Sequence, residues 1–262
     1  MKLSMGKVAS LDTKPFFIKK GPVGCLLIHG FTGSTTDTIW IGEYLAERNI
    51  TVSGIQLPGH GTVPQDMINT TWRDWAAAAE QELIAMRGKC AEVFVAGLSM
   101  GGALTLYLAS RHRLPGAASL AGAALVNDWR VKYLLPLIGG FVKYFPKDEK
   151  HEFADLEAEA WHKSYDYIPI PCLKSLMELL GVVRKGLPDV KCPMLVMHSR
   201  ADQTLDPVNA QYIFDHIASE KKELVWLERS GHPITVDVER PIVFEKVYEL
   251  IKRESKILSQ AG

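Results

Sequence analysis

Gly97-Leu98-Ser99-Met100-Gly101 reads G-x-S-x-G, and a further glycine follows at Gly102. The apolar run EVFVAG precedes it and the amphipathic stretch ALTLYLASRHR follows, so Ser99 is expected on a sharp strand-to-helix turn. Such a turn projects the hydroxyl into a cleft and crowds the flanking backbone, which is why glycine is needed on each side. A serine hydroxyl is a poor nucleophile until a base removes its proton. His232, in Ser230-Gly231-His232-Pro233, lies on a loop straight after the last expected strand, at the sheet edge where Ser99 also emerges. The other histidines are weaker candidates. His112, His151, His162 and His216 fall in helical patterns, where solvation or pairing with neighbouring charges is expected. His60 belongs to the Pro58-Gly59-His60-Gly61 turn, and His29 and His198 end strands as hydrogen-bonded wall residues.

A catalytic imidazole needs a carboxylate to fix its tautomer and stabilise its charged form. The loop S-R-A-D-Q-T-L-D-P offers Asp202 and Asp206. Asp206 precedes Pro207 and the helix-like VNAQYIFDHI, so helix capping already accounts for it. Asp202 has no such task and lies nearer the strand end, which makes it the expected partner of His232. An oxyanion would need two N–H donors. Met100 should supply one, at the positive end of the helix after Ser99. Phe31, in His29-Gly30-Phe31-Thr32-Gly33 directly after the first long strand, is best placed for the other.

These side chains must be held by a framework, and the chain alternates short apolar runs with helical patterns. That alternation predicts a mostly parallel sheet of about six to seven strands flanked by helices. Strands are expected at Val23–Ile28, Thr51–Gln56, Val93–Gly97, Ala117–Ala124, Met194–His198 and Glu223–Leu227. Helices are expected at Asp37–Arg48, Asp74–Arg87, Ala103–Arg113 and Arg240–Ile257. Between about Asn127 and Pro188 the alternation fails: the segment is charged and helix-like with no clear strand, too long for a plain crossover. It is read as a helical cap at 127–187 over the sheet's C-terminal edge, inserted in a core formed by 1–126 and 188–262. Tyr133–Phe141 and the stripe Leu173, Leu176, Leu180, Val183 are expected mostly to pack this cap onto the core, with some apolar residues lining a pocket.

Composition narrows the field. The 262 residues carry 30 basic and 30 acidic side chains, and this balance argues against a nucleic-acid partner. At 47% hydrophobic residues, collagen-like, coiled-coil and disordered chains are excluded. The N-terminal stretch has no apolar run of signal-peptide length, and no run approaches the ~20 residues of a membrane span. The four scattered cysteines are expected to be reduced, mostly buried thiols of a cytoplasmic protein. No G-x-G-x-x-G, Walker or HExxH pattern occurs, so neither a metal nor an organic cofactor is expected.

KPFF near the start, HGFTG, GHG, GLSMGG, the Arg200-Ala201-Asp202 loop and SGHPITVD run in order along nearly the whole chain. In these motifs, and in the order Ser99, Asp202, His232, the sequence resembles the α/β-hydrolases, specifically the small bacterial carboxylesterase and monoacylglycerol lipase group. The resemblance implies a Ser99–Asp202–His232 triad, Phe31 and Met100 as oxyanion donors, and a small helical cap after the strand in sixth position of that fold. It also implies cofactor-free hydrolysis of a small-molecule carboxylic ester through an acyl-enzyme. A short- to medium-chain acyl ester, a monoacylglycerol included, is the preferred substrate class. A thioesterase, an acyltransferase or a non-catalytic ligand-binding relative would use the same residues. The chain departs from the family at its start: about twenty residues precede the HGFTG strand, so the usual first two strands must be short or partly absent.

Overall fold

Val23–Ile28 (β2) is buried at all six positions, as a parallel strand must be when helices cover both faces of its sheet. A computed structural model of the chain describes residues 13–126, 143–147 and 153–260. Its main sheet has seven strands: β1 (Phe16–Ile18), β2, β3 (Thr51–Ile55), β4 (Glu92–Leu98), β5 (Ala117–Leu120), β8 (Met194–Ser199) and β9 (Lys222–Leu227). Their spatial order is β1-β3-β2-β4-β5-β8-β9, and every pairing is parallel except β1 against β3. β1, a three-residue edge strand, was not among the expected strands; it runs antiparallel to β3 at the edge of the sheet.

The pleat divides the core in two. Leu26, Ile28, Val93 and Val95 face a cluster built with α3 (Trp72–Arg87), α4 (Met100–Ala109), α6 (Ile170–Gly186) and α7 (Val208–His216). Cys25, Leu27, Phe94 and Ala96 face the opposite cluster with α1 (Ile39–Glu47) and α8 (Arg240–Glu254). Alternate residues of one strand therefore serve different helical layers, the period-two consequence of strand geometry.

Several boundaries differ from expectation for local reasons. The Ala117 strand stops at Leu120 because Ala121 turns left-handed (φ 44°) and sends its N–H to Met197 O. The helix after Ser99 begins at once, at Met100, and ends at Ala109. Asp37 does not start α1; it closes a short tight turn, Thr35–Asp37, ahead of it. The last long helix ends at Glu254, where Ser255 becomes extended and its hydroxyl donates to Glu92. α3 starts two residues earlier than Asp74, whose carboxylate instead reaches back to the Thr71 N–H and hydroxyl.

Between β5 and β8, the segment expected to lack strands holds a short antiparallel pair, β6 (Tyr144–Pro146) and β7 (Tyr167–Pro169). α5 (Leu156–Trp161) lies between them, capped by the Asp155 carboxylate, and the long α6 follows. Tyr133–Phe141 falls outside the described residues. α2 (Pro64–Met67) is a single turn beneath β7.

Candidate active site

Ser99 occupies the junction of β4 and α4 with φ 56° and ψ −114°, a conformation that non-glycine residues rarely adopt. Three backbone bonds clamp it there: its N–H donates to Leu120 O, and its carbonyl accepts from Ala103 and Ala123. The two motif glycines permit the turn. A Cβ on Gly97 would stand 2.1 Å from Gly101 O, and one on Gly101 would stand 2.1 Å from Ile28 O. The strain is thus held by packing against the neighbouring strand and leaves the Ser99 hydroxyl facing a cavity of about 590 Å³.

His232 arrives from the loop after β9. Its Nε2 lies 2.8 Å from Ser99 Oγ, and its Nδ1 lies 2.7 Å from Asp202 Oδ2. Asp202, at the turn after β8, is buried and also accepts at Oδ1 from the N–H groups of Thr204 and Leu205. Burial alone would raise its pKa. The adjoining His232, together with hydrogen bonds from His198 and His232, outweighs burial and holds the carboxyl far below its ordinary range. Asp206 accepts from the Val208 N–H at the start of α7, where Pro207, one residue later than expected of Asp206, holds the cap position.

Two buried carboxylates fix the loop that carries His232. Glu239 accepts from Arg229 and Ser230 N–H groups, each at 2.8 Å. Asp237 accepts from Gly231 N–H at 2.6 Å and also from Ala154 and Asp155 N–H, tying the β6–β7 segment to this loop.

Phe31 and Met100 both line the cavity beside Ser99. Met100 is the first residue of α4, where an N–H has no intrahelical acceptor, and neither amide is engaged elsewhere among the described residues. The loop carrying Phe31 is braced from beneath by Asp37, whose Oδ2 accepts from Gly30 N–H at 2.9 Å. Phe31 itself packs edge-on against Trp75.

The cavity has two kinds of wall. Leu173, Leu176 and Leu180 of α6, with Ile168, Val126 and Leu205, form an apolar side; the three leucines therefore line the pocket as well as packing the core, while Val183 only packs. Thr32, Asp37, Lys147, His162 and Ser164 make a polar side. Asp37 and His162 were not expected there. His162, expected in a helical pattern and either solvated or paired with neighbouring charges, stands just past the end of α5, with Nε2 2.7 Å from Asp37 Oδ1. Nothing local in the sequence links residues 125 positions apart.

Four other histidines, His29, His60, His112 and His216, have structural partners. His29 donates from Nδ1 to Gly30 O and accepts at Nε2 from the Leu57 N–H, so its neutral tautomer is fully used. His60 is buried against His29, Phe31 and Trp75, and burial, then the neighbouring His29, pushes its pKa down to about 3. His112 pairs with Glu80, and His216 stacks on Tyr212. His151 lies outside the described residues. All four cysteines are free thiols, and burial pushes Cys25 up to about 12.

Residues 25–246 match the Alpha/beta hydrolase family, and the chain belongs to it. Among its relatives is a thermostable monoacylglycerol lipase of Bacillus sp. (strain H-257), 33% identical, with 92% of this chain and 95% of the relative covered. A carboxylesterase of Bacillus subtilis (strain 168) is 31% identical over 92% of this chain and 96% of its own. Among solved structures, a metagenome-derived lipolytic enzyme superposes with a TM-score of 0.84 at 30% identity, covering 92% of this chain and 98% of that one. With relatives of this kind along nearly its whole length, the chain is an ester-hydrolysing enzyme.

Proposed function

We propose that the chain is a serine carboxylesterase acting on short- to medium-chain acyl esters, monoacylglycerols among them, through an acyl-enzyme. The observation that carries this reading is the continuous relay Ser99 Oγ, His232 Nε2, His232 Nδ1, Asp202 Oδ2, opening on a cavity with an apolar wall. His232 takes the Ser99 proton as Oγ attacks the ester carbonyl. The Phe31 and Met100 N–H groups hold the resulting oxyanion. The tetrahedral intermediate collapses, the bond to the alcohol breaks, and His232 gives its proton to the departing oxygen. Water then enters, loses a proton to His232, attacks the acyl carbon and releases the acid with Ser99 restored.

The acyl chain lies along the apolar α6 leucines, and the alcohol takes the side of Thr32, His162 and Ser164. Residues 127–187 act as a cap on the core of 1–126 and 188–262, and β6, the stretch after α5, β7 and α6 supply much of the pocket wall. Among the described residues no helix is long and apolar enough to cross a membrane. With four unpaired thiols, this favours the cytoplasm as the place of action.

A fluorophosphonate probe followed by peptide mapping tests the nucleophile: the reading expects one adduct, on Ser99. Complete inertness towards the probe, with ligand binding retained, would favour a binder in place of an enzyme. Turnover across a chain-length series of aryl esters and monoacylglycerols, set against matched thioesters, tests the substrate class. Faster thioester cleavage would move the assignment to a thioesterase.

A further inference from the structure

Asp202 has a second imidazole partner. His198, the fifth residue of β8, places Nε2 2.9 Å from Asp202 Oδ2, the same oxygen that meets His232. Both the His198 and Asp202 side chains are fully buried. Nε2 must carry the proton, because its two neighbours, Asp202 Oδ2 and Leu205 O (3.1 Å), are both acceptors. Nδ1 is then a bare acceptor, and it is buried with no hydrogen-bond partner. Such an orphaned polar atom is a cost to the fold that an apolar residue of similar size would avoid. It marks a side chain kept for what its other nitrogen does.

We propose that His198 is a positioning residue for ester hydrolysis: its Nε2–H, donated to Leu205 O and lying against Asp202 Oδ2 at 2.9 Å, covers one side of that oxygen and leaves the other to point at His232. With Oδ1 held by the Thr204 and Leu205 amides, the carboxylate cannot pivot, and the His232 ring is fixed with Nε2 on Ser99. The proposal rests on Ser99, Asp202 and His232 being the reacting groups. The titratable group in contact with the His198 ring is Asp202, which also meets His232 of the loop after β9, and the strand partner of His198, Trp226 of β9, is uncharged.

The donor also tunes the relay. An N–H on Oδ2 draws off part of the carboxylate charge, so Asp202 holds a proton on His232 less firmly. His198→Met fills the space without a donor, whereas His198→Gln restores an N–H. In His198→Met, kcat is expected to fall about 10–100-fold with KM little changed. The acid limb of its pH profile moves to higher pH, and His198→Gln recovers most of both. Wild-type kcat and an unmoved acid limb in His198→Met would overturn the proposal, as would equal losses in both variants. Histidine 15N spectra of the unaltered protein give a readout that needs no variant to fold: His198 should be the Nε2–H tautomer, and an Nδ1–H tautomer contradicts the proposal. Activity surviving in Ser99→Ala would instead remove the catalytic reading on which it rests.

Discussion

His162 and Asp37 are joined by a 2.7 Å hydrogen bond that spans the cavity wall, linking the segment after α5 to the loop under Phe31. The acceptor is a carboxylate, so His162 donates from Nε2. Asp37 is buried, and burial would raise its pKa. His162 beside it, then His29 and the Gly30 N–H, reverse that and leave it below the ordinary range. Through its other oxygen Asp37 holds the Gly30 N–H, so one carboxylate braces both the loop carrying Phe31 and the wall opposite.

Asp37→Asn places an amide where two N–H donors converge, and one of them must lose its acceptor. Breaking one side of a buried pair costs about 3 kcal/mol. The melting temperature should drop by about 5–10 °C, and kcat should fall more than KM rises. A variant with unchanged melting temperature and unchanged kcat would show that the brace is idle.

Asp202→Asn and Asp206→Asn separate the two acids of one loop. An amide at 202 cannot fix the His232 tautomer, and kcat should fall by about 10⁴-fold. At 206, asparagine caps a helix as well as aspartate does, so activity and stability should stay near wild type. The reverse pattern would mean that the wrong carboxylate has been assigned.

Gly101→Ala tests whether the turn is held by close packing. The added methyl would stand 2.1 Å from Ile28 O, a backbone atom of a central strand that cannot step aside. A loss of about 3 kcal/mol or more is expected, seen as a large drop in soluble yield or denaturant midpoint. A folded Gly101→Ala protein with normal activity would mean that the backbone here is more yielding than the packing implies.

Acid should weaken the fold in two windows. His29 and His60 are buried with lowered pKa values, that of His60 near 3. Their contribution is complete above the unfolded value near 6.5 and shrinks as pH falls below it, for His60 until about 3. Asp37, also lowered, contributes fully above its unfolded value near 3.8 and is lost only below it. Denaturant titrations should therefore show stability declining already between pH 6 and 4, by a few kcal/mol. In His60→Phe that early decline should shrink; a flat profile over this window in the wild type would contradict the account.

Much of the frame was legible because it follows from local periodicity. β2 was bounded to the residue, and β3, β4, β8 and β9 were found within one residue at each end. Ser99, His232 and Asp202 could be nominated because each sits where a strand ends, and strand ends of a parallel sheet share one edge. The residues around them were not legible. His198 looked like any strand-terminal histidine, since its bond to Asp202 depends on how the loop folds back after β8. His162 and Asp237 act through contacts across 125 and about 80 positions, for which single-sequence periodicity carries no signal. β6 and β7 escaped because three-residue strands have too few residues to display alternation.

The most direct test is kcat/KM of Ser99→Ala on an activated aryl ester beside the wild type. Removing the hydroxyl that faces His232 should lower it by at least about 10⁴-fold while the protein keeps its fold and its affinity for ester-like ligands. Turnover within tenfold of wild type would mean that the bond-making oxygen is elsewhere.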